Sequence, residues 1–197
     1  MLKKYGLIFS FLLLSFILVA CGSSEDGKEY KPEFDNEVEG FSFTNQDGET
    51  VSLDDVKGDY WIANLIFTNC NTVCPPMTSN MAQLQGMLDE EGIDTRLVSF
   101  SVDPTIDDPE DLKEFGEKHG AEFDNWDFLT GYSQKDIESF ASNSFQALVT
   151  KVDGEDQVTH DTSFMLISPD GEMINRFKGT QMDEVEKIVD YLKAYKN

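Results

Sequence analysis

The sequence predicts an α/β domain in which strands and helices alternate around an open sheet. Short apolar runs typical of buried strands alternate along the chain with longer segments whose apolar residues recur at helical spacing. A pair of cysteines, Cys70 and Cys74, follows the first such run and precedes the first long helix. Open α/β sheets place their ligand chemistry at this position, beyond the carboxyl ends of the strands.

The first half of the domain is predicted to contain a β-hairpin (41–44 and 50–53), a strand (61–67), a helix (78–91) and a second strand (96–102). Alternating apolar and polar residues on either side of a turn at residues 46–48 indicate the hairpin. The first strand is a nearly continuous apolar run, as a buried central strand would be. The helix carries Met81, Leu84 and Leu88 at helical spacing.

The second half is predicted to contain a helix (109–119), a short strand (126–129), a helix (133–145), a hairpin (164–167 and 173–177) and a final helix (182–195). Pro109 suits the first turn of a helix, and Ser133 with Asp136 is close to a capping box. This order of elements resembles a thioredoxin-like fold with an N-terminal β-hairpin and a late hairpin insertion.

Residues 1–20 are predicted to be a signal peptide, because two lysines precede an uncharged, mostly apolar run that is short for a spanning helix. The small residues beside Cys21 resemble the lipobox of bacterial lipoproteins, which implies cleavage before Cys21 and lipidation of its sulfur. Residues 21–36 are then a flexible tether and residues 37–197 the domain, held at the extracytoplasmic face of a bacterial membrane. The alternative is an uncleaved short anchor.

The composition argues against two classes of partner. The 197 residues carry 38 Asp and Glu against 15 Lys and Arg, a formal net charge of −23. Such a chain offers no basic surface to nucleic-acid phosphates or to anionic lipid headgroups. We therefore expect no nucleic-acid partner and interpret the acidity as a source of solubility, with a cationic partner as the alternative.

The spacing of Cys70 and Cys74 favours chemistry over a structural bridge. A disulfide between them is geometrically possible, but it closes a very short loop and constrains little of the unfolded chain. Pro75 and Pro76 suit a helix start just after Cys74, where the helix dipole favours a thiolate. Two thiolates also form a soft metal site of the kind that selects Cu(I) or zinc.

A third metal ligand would have to be one of two histidines. His119 ends a predicted helix and is interpreted as a solvated residue. His160 precedes the strand at residues 164–167, which could bring it beside the cysteine loop. Two thiolates and one imidazole suit copper, since structural zinc normally takes four protein ligands.

The chain resembles the Sco/SenC family of thioredoxin-fold copper proteins over residues 41–195. The resemblance rests on an ordered set of motifs: Phe67-Thr68-x-Cys70-x-x-x-Cys74-Pro75, Ser101-Val102-Asp103-Pro104, Asp108-Pro109-Glu110, Leu129-Thr130-Gly131, and His160 ten residues before Asp170-Gly171. It implies one copper per chain, Cu(I) or Cu(II), bound by Cys70, Cys74 and His160. It also implies a role in building the binuclear copper centre of cytochrome c oxidase subunit II, by copper delivery or by reduction of that subunit's cysteines.

Three positions depart from the family's common pattern: Asn71 stands where Pro often follows the first Cys, Thr159 where Asp often precedes the His, and Ile106 where Arg is often found. None of them removes a candidate ligand. Asp103 is interpreted either as an outer partner or docking residue near the copper, or as a loop carboxylate, just before Pro104, that caps the following turn.

Cys70 and Cys74 are further predicted to be a redox-active pair, because a disulfide between them would remove both thiolate ligands. An oxidising compartment then calls for a thioredoxin-like reductant as a partner. No other catalytic residue is predicted, and thiol–disulfide exchange remains open as an activity.

Other functions stay open as alternatives. The spacing of the cysteines differs from the Cys-x-x-Cys of a thiol–disulfide oxidoreductase. By resemblance to its family, a peroxiredoxin-like peroxidase would have Thr three residues before its reactive Cys. In this chain Phe67 and Asn71 stand at those positions before Cys70 and Cys74. A copper or redox sensor has the same expected ligands as a metallochaperone.

Overall fold

The fold is built on a six-stranded mixed sheet. The computed structural model describes residues 31–152 and 154–196. The predicted signal peptide, the predicted lipidation site Cys21 and residues 22–30 of the predicted tether lie outside the described residues. The strands are β1 (Asn36–Glu37), β2 (Ser42–Thr44), β3 (Thr50–Ser52), β4 (Trp61–Ile66), β5 (Arg96–Ser101), β6 (Trp126–Leu129), β7 (Val149–Lys151), β8 (Val158–His160), β9 (Ser163–Ile167) and β10 (Glu172–Lys178). The helices are α1 (Leu53–Val56), α2 (Cys74–Glu90), α3 (Pro109–Lys118), α4 (Gln134–Phe145) and α5 (Met182–Lys196).

The strand order in the main sheet is β1-β10-β9-β4-β5-β6. Strands β4, β5 and β6 run parallel, whereas β9, β10 and β1 are joined to them and to each other by antiparallel pairing. The parallel strands therefore end at one edge, where the loops after β4, β5 and β6 meet. Two small hairpins, β2–β3 and β7–β8, lie outside this sheet.

The core lies between the sheet and its helices. Every residue of β4 is buried, which agrees with its apolar sequence and its place between β9 and β5. Helices α2 and α5 contact each other, while α4 contacts β1 and β7. Aromatic rings fill the space around α4 with edge-to-face and tilted contacts between Phe41, Phe100, Phe140 and Phe145.

The structure confirms the predicted order of strands and helices from the first hairpin to the last helix. Each predicted strand and helix is present within a few residues of its expected bounds, and β9 with β10 forms the late hairpin. Helix α2 begins at Cys74 rather than at residue 78, since the two prolines are accommodated in its first turn. Strands β1, β7 and β8 and the short helix α1, none longer than four residues, were not predicted.

The start of the described chain packs on the sheet, where the sequence predicted a tether up to residue 36. The backbone N–H groups of Glu33 and Phe34 both donate to the carbonyl of Ile174, and β1 pairs with β10. Residues 33–36 thus belong to the ordered domain, because the free edge of β10 offers hydrogen bonds to any adjacent extended segment.

Within residues 31–152 and 154–196, no helix combines the length and the apolar character needed to cross a membrane.

Candidate metal centre

The two cysteines lie at the junction between β4 and α2. The loop after β4 turns back so that the backbone N–H of Cys74 donates to Cys70 Sγ over 3.3 Å. Cys74 is the first residue of α2, and Pro75 and Pro76 occupy the first turn, where a helix makes no use of their missing N–H groups. Both cysteines are free of a disulfide, and the two residues are buried, with 4% and 0% of their surface exposed.

His160 reaches the same place from the end of β8. Its Nε2 lies 3.5 Å from Cys74 Sγ, and its Nδ1 lies 2.7 Å from the backbone carbonyl oxygen of Asp161. Because a carbonyl oxygen can only accept, Nδ1 carries the ring proton and Nε2 presents a lone pair to Cys74. The ring of Phe67 packs edge-on against the imidazole at 5.6 Å between centroids.

An open cleft of about 190 Å³ gives access to this group of side chains. It is lined by Phe67, Cys70, Thr72, Val73, Gln157, Val158, Thr159 and His160. The cysteine loop and the β7–β8 hairpin form its two walls, and Gln157 Nε2 bridges them by donating to the carbonyl of Asn69 over 3.2 Å. A partner or an ion can therefore approach the two candidate ligands Cys70 and His160 from solvent.

The two thiols differ in acidity. Burial raises the pKa of Cys70, but the neighbouring His160 and hydrogen bonds from the Cys74 side chain and from nearby backbone N–H groups outweigh it and lower the pKa to about 5. For Cys74, burial raises the pKa, and the neighbouring Cys70 and the charge of Asp107 raise it further. One thiolate and one thiol are expected in the metal-free centre at neutral pH.

Asp107, a buried carboxylate that was not predicted from the sequence, supports the cysteine loop through hydrogen bonds. Asp107 is 2% exposed and accepts hydrogen bonds from the Thr68 hydroxyl at 2.6 Å, from the Thr68 N–H at 3.2 Å and from the Ser101 hydroxyl at 2.5 Å. Its backbone carbonyl accepts from the Thr130 hydroxyl. Asp107 therefore ties together the ends of β4, β5 and β6. The only sequence signal for it was its place among the acidic residues that follow β5.

Asp103 lies on the same loop as Asp107, but its partners are different. Its carboxylate forms an ion pair with Lys151 of β7 and accepts from the Thr105 hydroxyl at 2.9 Å. Its backbone carbonyl accepts from Ile106 and Asp107, which closes the turn after Pro104. Neither candidate thiol is among these partners, so an influence on copper would run through Lys151 and the β7–β8 hairpin. That influence stays a prediction.

The second histidine, His119, lies at the end of α3. Its ring packs against Phe115 with 4.6 Å between centroids, and partial burial lowers its pKa. It is half-buried, although the sequence suggested a solvated residue.

The donor atoms of Cys70, Cys74 and His160 are of the types that bind a soft metal ion. Two sulfurs and an imidazole nitrogen with a free lone pair are ligands that copper prefers. In the described part of the chain, no group of three His, Cys, Asp or Glu side chains is already spaced to hold an ion. That these three residues hold a metal stays a prediction.

Fold and site together define a class: a thioredoxin-like α/β protein with two thiols and an imidazole at the carboxyl edge of its sheet. The family model of SCO1/SenC matches residues 30–197. The chain belongs to this family. It is 49% identical over 189 residues to the SCO1 protein homolog of Bacillus subtilis (strain 168), an alignment that covers 96% of this chain and 93% of that protein.

Solved structures agree with this assignment. A crystal structure of a SCO1/SenC family lipoprotein from Bacillus anthracis str. Ames is 46% identical, with a TM-score of 0.81 over 85% of this chain and 98% of that one. BsSco, described as a member of the Sco family of cytochrome c oxidase assembly proteins with a disulfide switch, is 51% identical. The TM-score is 0.76 over 83% of this chain and 95% of that one. Bradyrhizobium japonicum ScoI with copper bound shares the fold at 22% identity, with a TM-score of 0.68 over 81% and 99%.

Proposed function

We propose that this protein binds one copper ion through Cys70, Cys74 and His160 and serves in the assembly of cytochrome c oxidase. The observation that carries the proposal is the convergence of two thiols and a histidine whose proton is held on Nδ1. A histidine fixed in this way offers Nε2 as a ligand without further rearrangement of its proton. The proposal is supported by the relatives that are described as oxidase assembly proteins or that contain copper.

Copper suits this donor set better than zinc does. Thiolates are soft ligands that favour Cu(I), and imidazole is a good ligand for Cu(II). A closed structural zinc site needs a fourth protein ligand. His119 packs against Phe115 instead, and Cys21 is the proposed site of a lipid. Cys70 and Cys74 would hold either oxidation state of copper, and His160 would matter most for Cu(II).

The same two thiols support redox control of copper binding. Starting from the Cys70 thiolate and the Cys74 thiol, loss of two electrons and one proton forms one S–S bond and removes both sulfur ligands. A partner of the thioredoxin type would have to return two electrons before copper could be bound again. The low pKa of Cys70 favours this exchange, since the thiolate is the reactive form. Thiol reduction of the cysteines of oxidase subunit II is therefore a second candidate function of the same site.

The proposed location is the extracytoplasmic face of a bacterial membrane, with a lipid on Cys21. The lipobox-like sequence before Cys21 supports this, as does the relative from Bacillus anthracis that is described as a lipoprotein. Anchoring would keep the copper site near a membrane-bound oxidase subunit and raise its effective concentration there.

Anaerobic copper titration of the reduced full-length protein in detergent tests the proposal. We expect one Cu(I) per chain, and a strong visible absorption from thiolate–Cu(II) bonding. Either Cys70→Ala or Cys74→Ala should abolish this absorption, whereas His160→Ala should change it and spare Cu(I). His119→Ala is the matched control and should leave both unchanged. An unchanged Cu(II) spectrum in His160→Ala would contradict the ligand assignment.

Two further measurements separate the alternatives. Insulin reduction and peroxide consumption, assayed with and without copper, should be negligible for an assembly factor; turnover without copper would favour an enzyme. Oxidation of the thiols should abolish tight copper binding, and equal affinity in both redox states would refute redox control.

Metabolic labelling with a fatty acid tests the anchor. The wild type should take up label and Cys21→Ser should not. If the wild type takes up no label and its first residue is not Cys21, the protein is a secreted or signal-anchored domain and not a lipoprotein.

A further inference from the structure

Arg176, the only arginine near the candidate centre, contacts three separate parts of the chain. Arg176 lies on β10, and 23% of its side chain is exposed. Its Nη1 donates to Asp161 Oδ2 over 3.3 Å, and its Nη2 donates to the backbone carbonyl of Phe145. The guanidinium also lies over the ring of Phe34, 5.6 Å from its centroid. Three partners from separate parts of the chain thus hold one planar group in place.

Asp161, the partner of Arg176, is the residue whose carbonyl holds the ring of His160. Its Oδ1 accepts from the N–H of Ser163 at 2.8 Å, while Oδ2 faces Arg176. Its own N–H donates to the carbonyl of Leu148 across the hairpin. With the side chain and the N–H both held, the carbonyl oxygen of Asp161 is directed at His160 Nδ1, 2.7 Å away.

We propose that Arg176 is a positioning residue for the copper ligand His160 and acts through Asp161. By fixing the Asp161 carboxylate, Arg176 fixes the carbonyl that accepts the Nδ1 proton, and so keeps the Nε2 lone pair directed at the cysteines. Outer partners of this kind commonly contribute a factor of about 10–100 to metal affinity. This inference rests on the proposed function for its copper readout, but the orientation of His160 can be measured without copper.

The alternative is that Arg176 only joins β10, the end of α4 and the segment around Phe34. Loss of these packing and hydrogen-bond contacts would lower stability without changing the tautomer of His160 or the ratio of Cu(II) to Cu(I) affinity. The chain contains one other arginine, Arg96, which pairs with Asp127 at the start of β5. Because β5 ends at the candidate centre, Arg96 lies at the opposite end of that strand and provides a matched control.

The first test uses the metal-free, reduced full-length protein in detergent. ¹⁵N NMR of the imidazole should show His160 with its proton on Nδ1 in the wild type and in Arg96→Gln. Arg176→Gln should give a mixture of both tautomers, and Arg176→Lys should restore part of the Nδ1 form. If Arg176→Gln does not fold, Asp161→Asn tests the same link, because it keeps an acceptor for Ser163 and removes the charge that Arg176 holds.

The second test measures copper affinity by competition with chelators. Arg176→Gln should bind Cu(II) about tenfold or more weakly and Cu(I) within about twofold of the wild type. In a His160→Ala background, Arg176→Gln should cause no further loss of Cu(II) affinity. A wild-type tautomer together with a wild-type Cu(II) affinity in Arg176→Gln would overturn the inference. A wild type that binds no copper, with a tautomer that still depends on Arg176, would overturn the proposed function and leave the positioning role intact.

Discussion

The cysteine loop and the histidine hairpin supply ligands to the same candidate centre, but they are built in different ways. The cysteine loop follows β4, a wholly buried strand at the centre of the sheet, and leads directly into α2. The β7–β8 hairpin lies outside the main sheet and has three residues in each strand. Two of its flanking residues, Leu148 and Val152, are 65% and 51% exposed.

This difference shows how the two kinds of ligand are held. The thiols are placed by the hydrophobic core and by hydrogen bonds to Asp107 at the ends of three strands. The imidazole is placed by ion pairs at the two ends of its hairpin, Asp103–Lys151 and Asp161–Arg176. Substitutions that weaken the core or remove Asp107 should therefore affect the thiols, whereas substitutions in the two ion pairs should affect the imidazole first.

The largest effect should come from Asp107→Ala, which removes the buried acceptor beneath the cysteine loop. The Thr68 N–H and the hydroxyls of Thr68 and Ser101 would lose their partner, and we expect a loss of about 3 kcal/mol in the free energy of unfolding. Urea denaturation of the metal-free protein measures it. Asp107→Asn keeps one acceptor oxygen and should cost less; equal stability of Asp107→Ala and the wild type would show that the loop does not depend on this residue.

The same carboxyl should give a pH dependence. Burial raises the pKa of Asp107, and the hydrogen bonds from Ser101 and Thr68 only partly oppose it. The folded state therefore holds this proton more tightly than the unfolded chain does. Between the unfolded and the folded pKa the free energy of unfolding falls as pH rises, and below both it is constant. Denaturation from pH 4 to pH 8 should show the wild type losing stability relative to Asp107→Asn; a constant difference would contradict this.

The next effect concerns the two thiols within the cysteine loop. At pH 7, Cys70 should react with iodoacetamide at least about a hundredfold faster than Cys74, because Cys70 has the lowered pKa and Cys74 the raised one. Mass spectrometry of the alkylated peptides measures both rates in the reduced, metal-free protein. His160→Ala should slow the reaction of Cys70. Equal rates at the two positions would mean that the loop does not distinguish its thiols.

A smaller effect is expected at the hairpin from Lys151→Gln. Asp103, with 2% of its side chain exposed, would lose its cation. Because Lys151 is itself 19% exposed, we expect the free energy of unfolding to fall by only about 2 kcal/mol. The matched control is Lys113→Gln, since its pair with Asp47 is 44% and 41% exposed and should contribute far less to stability. Denaturation compares them, and amide exchange in β7 and β8 should quicken only in Lys151→Gln. Equal effects of the two substitutions would refute the role of this ion pair.

The smallest effect should come from Leu148→Ser on the outer side of the hairpin. Leu148 is 65% exposed, so the substitution removes little buried surface and should change the free energy of unfolding by no more than about 0.5 kcal/mol. Thermal unfolding would detect a larger loss, which would mean that the hairpin packs more tightly than its exposure indicates.

Local patterns in the sequence were enough to predict most of the sheet and the position of the cysteines. The apolar run of β4, the helical spacing in α2 and the prolines after Cys74 each act over a few neighbouring residues. Their geometry follows from backbone preferences and from burial, so it could be inferred without the structure. The place of His160 just before a late strand made it a candidate, and the family motifs added support; Cys21 remains a prediction that lies outside the described residues.

The sequence by itself determined the α/β architecture and the placement of two thiols at the end of a buried strand, because periodicity and turn chemistry are local properties. Only the tertiary structure decided what surrounds them. Asp107 meets Thr68 across 39 residues, Lys151 meets Asp103 across 48, and Arg176 meets Asp161 from a neighbouring strand. Such contacts depend on how the strands are ordered and on which charges become buried, and no spacing along the chain encodes either.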